Sequence, residues 1–495
     1  MSTQLPTESE SKVHSARTGL ILRILSLAGA RFVWRGLGAL TLIIIARELG
    51  VEEFGLYTAA FSFASLGAMF ADAGTSQVVL RSISREESST REIVGGGYII
   101  QGVLVLAAYG GTLFVSRHLE HDPRLFGCIA IVGLTITLTT AQQIPLAVLQ
   151  GLERMHLLAI FQAGASALAL AAVIFAVTFF GTLESVVRSQ LLAACLPFPA
   201  ILWLALRGVR PKWSLRRIPN ILHESASFGI LGLFYIVLQQ ASVVLLERLS
   251  TPSEVGLFGA ALRPVAFLYV LPQVVSTVLM PRMFKQGVSD PQRFDATSRG
   301  MLRYLTGVGF LLSGLVFLTA DQIIHILLGS RYVGAAPIMR TLAWFPALQC
   351  INYALGGVLT TRDANRLRIY AAVFASFVLI IANLWLIPRH GARGSATATL
   401  LAEASFALAI GAAVKFNWPS FAFMRALVPQ FLGTAAGASV VWLVFLGEPA
   451  RSFRSAVGAS ILFTALYGAS LWIFGFFVPE EKNLIRRRFA RMRSG

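Results

Sequence analysis

The chain has 495 residues, of which 56 % are hydrophobic and only 13 % charged, with a mean hydropathy of +0.70 and a formal net charge of +18. Soluble domains are about a quarter charged, whereas most of this chain falls into continuous apolar runs of about 20 residues, long enough to cross a bilayer core of roughly 30 Å. A soluble α-fold is excluded, as is a β-barrel, whose strands would alternate; the basic residues cluster in loops, which speaks for lipid headgroups and against nucleic acid.

The polar start, Met1 to Ser15, is too long and too mixed in charge for a cleavable signal peptide, so the first span is expected to stay as an anchor. Six spans are expected at about 20–46, 54–80, 94–116, 125–148, 156–180 and 184–205. A basic connector with Arg210, Lys212, Arg216 and Arg217 follows. Six more spans are expected at about 222–246, 255–281, 302–320, 336–360, 368–388 and 393–415, then two at about 426–447 and 455–478, before a basic tail. The expected organisation is an N-terminal lobe over 1–206, a connector over 207–220, a C-terminal lobe over 221–416, two further spans within 417–479 and a tail over 480–495. With both termini placed in the cytoplasm, the inner loops and tails hold about 26 of the 42 Lys and Arg and the outer loops about 9, the bias of the positive-inside rule.

Charge inside the first span is the feature that points to function. Arg31 and Arg35 are one turn apart on one face, with Arg23 on the same broad stripe. Each Arg near a bilayer centre costs roughly 2.5–3.5 kcal/mol even on a lenient scale, so these groups are expected to face a hydrated interior suited to an anionic passenger. Arg263, early in span eight, is the candidate partner from the second half, and a guanidinium fork suits phosphate oxygens. The competing reading is that internal acids pair with them: Asp72, Glu184 and Glu403 are the available carboxylates. Asp72 and Glu403 are also the candidates for coupling transport to H+ or Na+, although Ala71-Asp72-Ala73-Gly74 equally reads as a helix break or cap. Gln101, Gln143, Gln239 and Asn383 are sugar-contact candidates, with hydrogen bonding between helices as the alternative. No cofactor, metal site or disulfide framework is expected from three isolated cysteines, and the outer loops are too short for a catalytic domain.

An internal repeat accompanies this pattern. Glu53-Phe54-Gly55-Leu56-Tyr57 recurs 201 residues later as Glu254-Val255-Gly256-Leu257-Phe258, and the same offset carries Arg81 onto Arg282. Both copies open an even-numbered span from the outer side, so the repeats run parallel. Prolines at 197, 199, 264, 272 and 281 fall in or near spans, and span eight is the best hinge candidate.

The run Ala46 to Tyr57, the Ala71-Asp72-Ala73-Gly74 element with Val79 to Arg85, Leu149-Gln150-Gly151, and Leu386 to Gly394 leading into Ala396 and Glu403 resemble signatures of bacterial polysaccharide flippases. Leu327-Leu328-Gly329 with Tyr332 and Ala335-Ala336-Pro337 fits the same pattern. The chain is similar to the polysaccharide-transport (Wzx-type) branch of the multidrug/oligosaccharidyl-lipid/polysaccharide flippase superfamily. The resemblance implies an all-α polytopic protein of about 14 spans, with two pseudo-symmetric six-helix lobes around a central cavity and two C-terminal helices. It implies alternating access and a cargo of undecaprenyl-pyrophosphate-linked oligosaccharide, moved to the outer leaflet of a bacterial inner membrane. Membrane lipids, a polysaccharide polymerase and glycosyltransferases are the expected partners. A lipid II flippase and a cation-coupled multidrug extruder are the alternatives within the superfamily, and an integral-membrane polymerase or glycosyltransferase is the alternative outside it.

Overall fold

The computed structural model describes residues 34–85, 87–119, 122–362, 364–418, 423–444, 453–474 and 476. Arg23 and Arg31 lie outside these residues, as does the basic tail. Regular structure among the described residues is entirely helical, as expected for a chain that must satisfy its backbone inside lipid.

Among the described residues, eleven helices are long and apolar enough to cross a membrane. One of them, Asn365–Asn417, has 53 residues and is two helices joined at Gly391, whose φ of 53° and ψ of −133° break the helical path. With that division and the shorter apolar helix Leu427–Val441, thirteen apolar helices lie among the described residues, consistent with the roughly fourteen expected. This is a multi-pass membrane protein.

The elements used below are α1 (34–49), α2 (Val51–Asp72), α3 (Thr75–Ser84), α4 (Thr90–Leu119), α5 (Pro123–Ala141) and α6 (Gln143–Gly151). They continue as α7 (Met155–Phe179), α8 (Leu183–Cys195), α9 (Phe198–Gly208), α10 (Ile218–Leu249), α11 (Pro252–Phe267) and α12 (Val270–Ser289). The last are α13 (Pro291–Leu328), α14 (Ala335–Leu342), α15 (Phe345–Thr361), α16 (Asn365–Asn417), α17 (Phe423–Val444) and α18 (Phe453–Ile473). Several apolar runs are thus two helices in series. The run through 183–208 is interrupted at Leu196–Pro197, where proline withholds its N–H, and the span-eight run is interrupted at Leu268–Tyr269 between Pro264 and Pro272.

The chain groups into two compact units, one built from residues up to Ile45 and from Gly67–Gly232, the other from Ala46–Leu66 and from Leu233 onward. The first unit packs Val78, Val79, Val94, Ile144, Val148 and Ile221 into its core. Close approach there depends on small residues. A Cβ at Gly95 would lie 2.3 Å from the Lys212 carbonyl oxygen, and one at Gly97 would lie 3.0 Å from Val79 Cγ2. Between apolar helices in lipid, packing contacts rather than water exclusion hold the bundle, so such close seats matter.

In the second unit the core is built on Leu302, Leu305, Leu355, Leu359, Ala372, Leu379, Phe406 and Ile410. The α11 helix starts in a conventional way: Thr251 accepts from the Glu254 N–H, Pro252 occupies the first turn, and Glu254 sits at the positive end of the dipole. The two copies of the repeat meet within this unit. A Cβ at Gly55 would lie 1.9 Å from the Pro252 carbonyl oxygen, and one at Gly256 would lie 2.0 Å from the Val51 carbonyl oxygen. Residues 51 and 55 correspond to 252 and 256 at the 201-residue offset, so the two contacts are reciprocal, as across a local two-fold axis. Gly259 packs against Thr58, its own counterpart in the repeat, with a Cβ there 3.0 Å from Thr58 Cγ2. The repeat is therefore structural as well as sequential.

Candidate functional site

Arg263 lies in α11, one residue before Pro264, on a helix whose neighbouring residues Ala260, Ala261 and Val265 are buried. Its guanidinium carbon stands 5.4 Å from the centroid of the Phe61 ring, and Phe61 in turn stacks 6.5 Å from Tyr57. The Arg263 Nε is buried without a hydrogen-bond partner, and among the described residues no carboxylate pairs with this side chain. A cation–π contact is worth about 0.5–2 kcal/mol. The Nε is thus a buried donor without an acceptor among the described residues, a cost that the ring contact offsets only in part. Arg35, half-buried on α1, is in a similar position: its charge lies 5.9 Å from the ring of its neighbour Trp34, and no ion pair forms among the described residues.

The three acids that could have neutralised these arginines are engaged elsewhere. Asp72 ends α2 at a sharp break, where Ala73 and Gly74 adopt φ of 44° and 85°. Its Oδ1 accepts from Thr75 Oγ1 and the Ser76 N–H, both at 3.2 Å, and its Oδ2 accepts from Ser76 Oγ at 2.7 Å. Gln101 Nε2 reaches the same carboxylate at 3.4 Å. The carboxylate thus bridges the break and satisfies the Ser76 N–H in the first turn of α3, whose N-cap position Gly74 holds in left-handed backbone. Glu184 pairs with Arg188 one turn along the same exposed helix surface.

Glu403 is buried in the second unit. Asn352 Nδ2 donates to its Oε2 at 2.7 Å, and Gln349 hydrogen-bonds it as well. Both partners are neutral amides, and no cationic side chain pairs with Glu403 among the described residues. The Asn352 Oδ1 beside it is buried without a donor. A buried carboxylate with an idle amide oxygen next to it is an arrangement that a proton or a small hard cation would complete.

The amide candidates divide. Gln101 is buried and donates to the Thr140 carbonyl at 3.0 Å, tying α4 to α5. Asn383 is buried and joins Ser242 at 3.1 Å and Ser395 at 2.9 Å, a network that also includes Thr399. These two act as links between helices. Gln143 is exposed at the start of α6. Gln239 donates to the Tyr269 hydroxyl at 3.1 Å, while its neighbour Gln240 accepts from Ser62 at 2.9 Å.

Sequence reasoning missed the aromatic polar groups of the second unit. Tyr269 lies 6.0 Å from Phe345 in a tilted arrangement and meets Tyr353 edge-on at 5.5 Å. Arg368 donates to the Tyr235 hydroxyl and to Thr360 Oγ1, both at 3.1 Å. Nothing in the spacing signals these contacts, which join positions 8 to 133 residues apart.

Residues 22–286 match the model of the family described as polysaccharide biosynthesis protein. The chain belongs to this family. It is 24 % identical over 409 residues to the "Probable low-salt glycan biosynthesis flippase Agl15" of Haloferax volcanii, a match covering 79 % of this chain and 81 % of that protein. It is 22 % identical over 491 residues to the "Probable flippase AglR" of the same organism, covering 94 % and 97 %. Among solved structures it is similar to a "Lipid II flippase MurJ, inward closed conformation", with a TM-score of 0.76 at 15 % identity, covering 91 % of this chain and 98 % of that one. An inward-facing MATE family transporter of the MOP superfamily follows at a TM-score of 0.62 and 14 % identity, covering 79 % and 95 %. The resemblance to the flippase superfamily read from the sequence is borne out, and with it the all-α polytopic fold class.

Proposed function

We propose that this protein is a flippase for an undecaprenyl-pyrophosphate-linked oligosaccharide, moving it between leaflets of a bacterial inner membrane by alternating access. The reading places both termini in the cytoplasm and divides the chain into an N-terminal lobe over 1–206 and a C-terminal lobe over 221–416, joined by the basic connector. The single observation that carries it is the Arg263 guanidinium, half-buried in a membrane helix with no acid to neutralise it. An unpaired cation in such a place is retained against a cost of several kcal/mol, and an anionic lipid head is the partner that offsets it. Arg35, with Arg31 and Arg23, supplies the further charge that a pyrophosphate needs. Family membership and the two Haloferax relatives, both carrying the word flippase in their names, make a lipid-linked glycan the natural cargo.

Glu403 is the site of coupling in this reading, with Asp72 assigned to capping by its hydroxyl partners. In exchanging H+ or Na+, Glu403 would use Asn352 and Gln349 as neutral supports. Glu403→Gln keeps the shape and the capacity to hydrogen-bond but removes the titratable charge. It is expected to leave folded protein in the membrane and abolish the dependence of transport on an imposed H+ or Na+ gradient.

The test of the function itself is a proteoliposome assay with an undecaprenyl-pyrophosphate oligosaccharide, scored by accessibility of the sugar to an external lectin. Arg263→Ala and Arg35→Ala are each expected to slow flipping on the order of 100-fold, the loss that follows from truncating one partner of a buried charged contact. Wild-type rates in both variants would remove the basis for the assignment.

A further inference from the structure

A cavity of about 470 Å³ opens in the first unit, lined by Arg91, Arg207 and Arg210 together with Glu87, Ser88 and Leu152. Its volume lies within the ~300–1,000 Å³ typical of small-molecule sites. None of the three arginines forms an ion pair among the described residues, and all are exposed. They converge from separate elements: Arg91 from the first turn of α4, Arg207 from the last turn of α9, and Arg210 from the connector beyond it. The positive end of the 30-residue α4 adds to the same field.

The pocket is built rather than incidental. The Lys212 N–H donates to the Arg91 carbonyl at 2.8 Å, while Lys212 Nζ and Arg217 Nε reach Glu92 at 2.8 and 3.3 Å. These contacts fasten the connector to the start of α4 and neutralise Glu92. Among the described residues of the lining, Glu87 is the one acid against three guanidiniums. Arg207 is held 3.9 Å over the ring of Trp203, which is 53 % exposed and lies five residues before the end of α9. Exposed Trp near a span end is typical of the headgroup layer of a bilayer, and Arg207, in the last turn of α9, is closer still to that end.

We propose that this pocket binds the phosphodiester headgroup of an anionic phospholipid, with Arg91, Arg207 and Arg210 on the phosphate oxygens and the acyl chains leaving past Trp203. The site shares no residue with the proposed pyrophosphate contacts, and it stands whether or not the protein carries a glycan. Guanidinium forks match phosphate bidentately, and basic pockets between membrane helices are known to hold anionic headgroups.

The test is native mass spectrometry of the delipidated full chain titrated with phosphatidylglycerol, phosphatidylcholine or inorganic phosphate. Three variants' worth of charge is removed together, as Arg91→Ala/Arg207→Ala/Arg210→Ala. A matched control removes three exposed arginines of the second unit, as Arg293→Ala/Arg299→Ala/Arg366→Ala. Each arginine near an anionic surface contributes roughly a factor of five, so the pocket variant is expected to lose affinity for one phosphatidylglycerol on the order of 100-fold. The control variant is expected to keep it, and phosphatidylcholine to bind neither selectively. Equal phosphatidylglycerol binding by the two variants would overturn the site. Occupancy by inorganic phosphate that displaces the lipid, or equal retention of phosphatidylcholine, would overturn the assignment of the occupant.

Discussion

The helices α2 and α11 are copies at a 201-residue offset and meet glycine against backbone through Gly55 and Gly256, yet two turns further on one carries Ser62 and the other Arg263. Ser62 is buried and satisfied by Gln240 at 2.9 Å. Arg263, its counterpart, has a buried Nε with no acceptor. Their C-terminal ends differ as well: α2 runs 22 residues to a break capped by Asp72, whereas α11 runs 16 residues to a break between prolines. The glycine contact is kept in both copies, whereas this position, which in the second copy stands over the Phe61 ring of the first, is not. At this pair of positions the charge belongs to one copy only.

The largest effect expected from breaking this contrast is functional. Ser62→Ala should cost no more than a hydrogen bond, about 1 kcal/mol of stability, and leave glycan flipping within a few-fold of wild type. The corresponding Arg263→Ala should slow flipping on the order of 100-fold, and comparing both in one proteoliposome series isolates the cation from the scaffold. Next in size is the glycine contact. Gly55→Ala and Gly256→Ala would each drive a methyl group against a carbonyl oxygen, a backbone atom that cannot step aside. Each is expected to cost about 1–3 kcal/mol, read as a lower melting temperature, and the two losses should be equal because the contacts are reciprocal. Clearly unequal losses would contradict the local two-fold.

Smallest is the cap. Asp72→Ala is expected to cost about 1 kcal/mol, the usual net loss for a hydrogen-bonded side chain, while flipping persists with its gradient dependence intact. Loss of that dependence in Asp72→Ala would move the coupling role from Glu403 to Asp72. Thermal unfolding and gradient-driven transport, measured on the same preparation, decide between the two acids.

The spans were legible because each needs about 20 apolar residues, a requirement composition alone reveals. Their polar extensions were less so. The apolar run near 302–320 continues as helix from Pro291, where Asp290 accepts from the Arg293 N–H and proline occupies the first turn. That Asp-Pro signal was present in the sequence, but hydropathy does not register it. The turn expected over 389–392 contracts to Gly391, whose positive φ suits glycine, with the Glu254 carboxylate 2.6 Å from where a Cβ would stand.

At the site, the capping role of Asp72 was readable from the Thr75 and Ser76 that follow it, since Asx and hydroxyl side chains at that spacing serve a local turn. The isolation of Arg263 was not readable. It depends on where every acid in the spans points, and Glu403 finds Asn352 across 51 residues of chain. Gln101 and Asn383, read as sugar contacts, serve as links between helices for the same reason: a buried amide takes whichever partner packing brings within reach.

The central claim is that unpaired arginines in the spans hold the pyrophosphate head of the cargo. Equilibrium binding of undecaprenyl pyrophosphate and of uncharged undecaprenol to the purified protein, wild type against Arg35→Ala/Arg263→Ala, tests it most directly. The wild type should prefer the pyrophosphate by on the order of 100-fold and the double variant should lose that preference. An undiminished preference in the double variant would contradict the account.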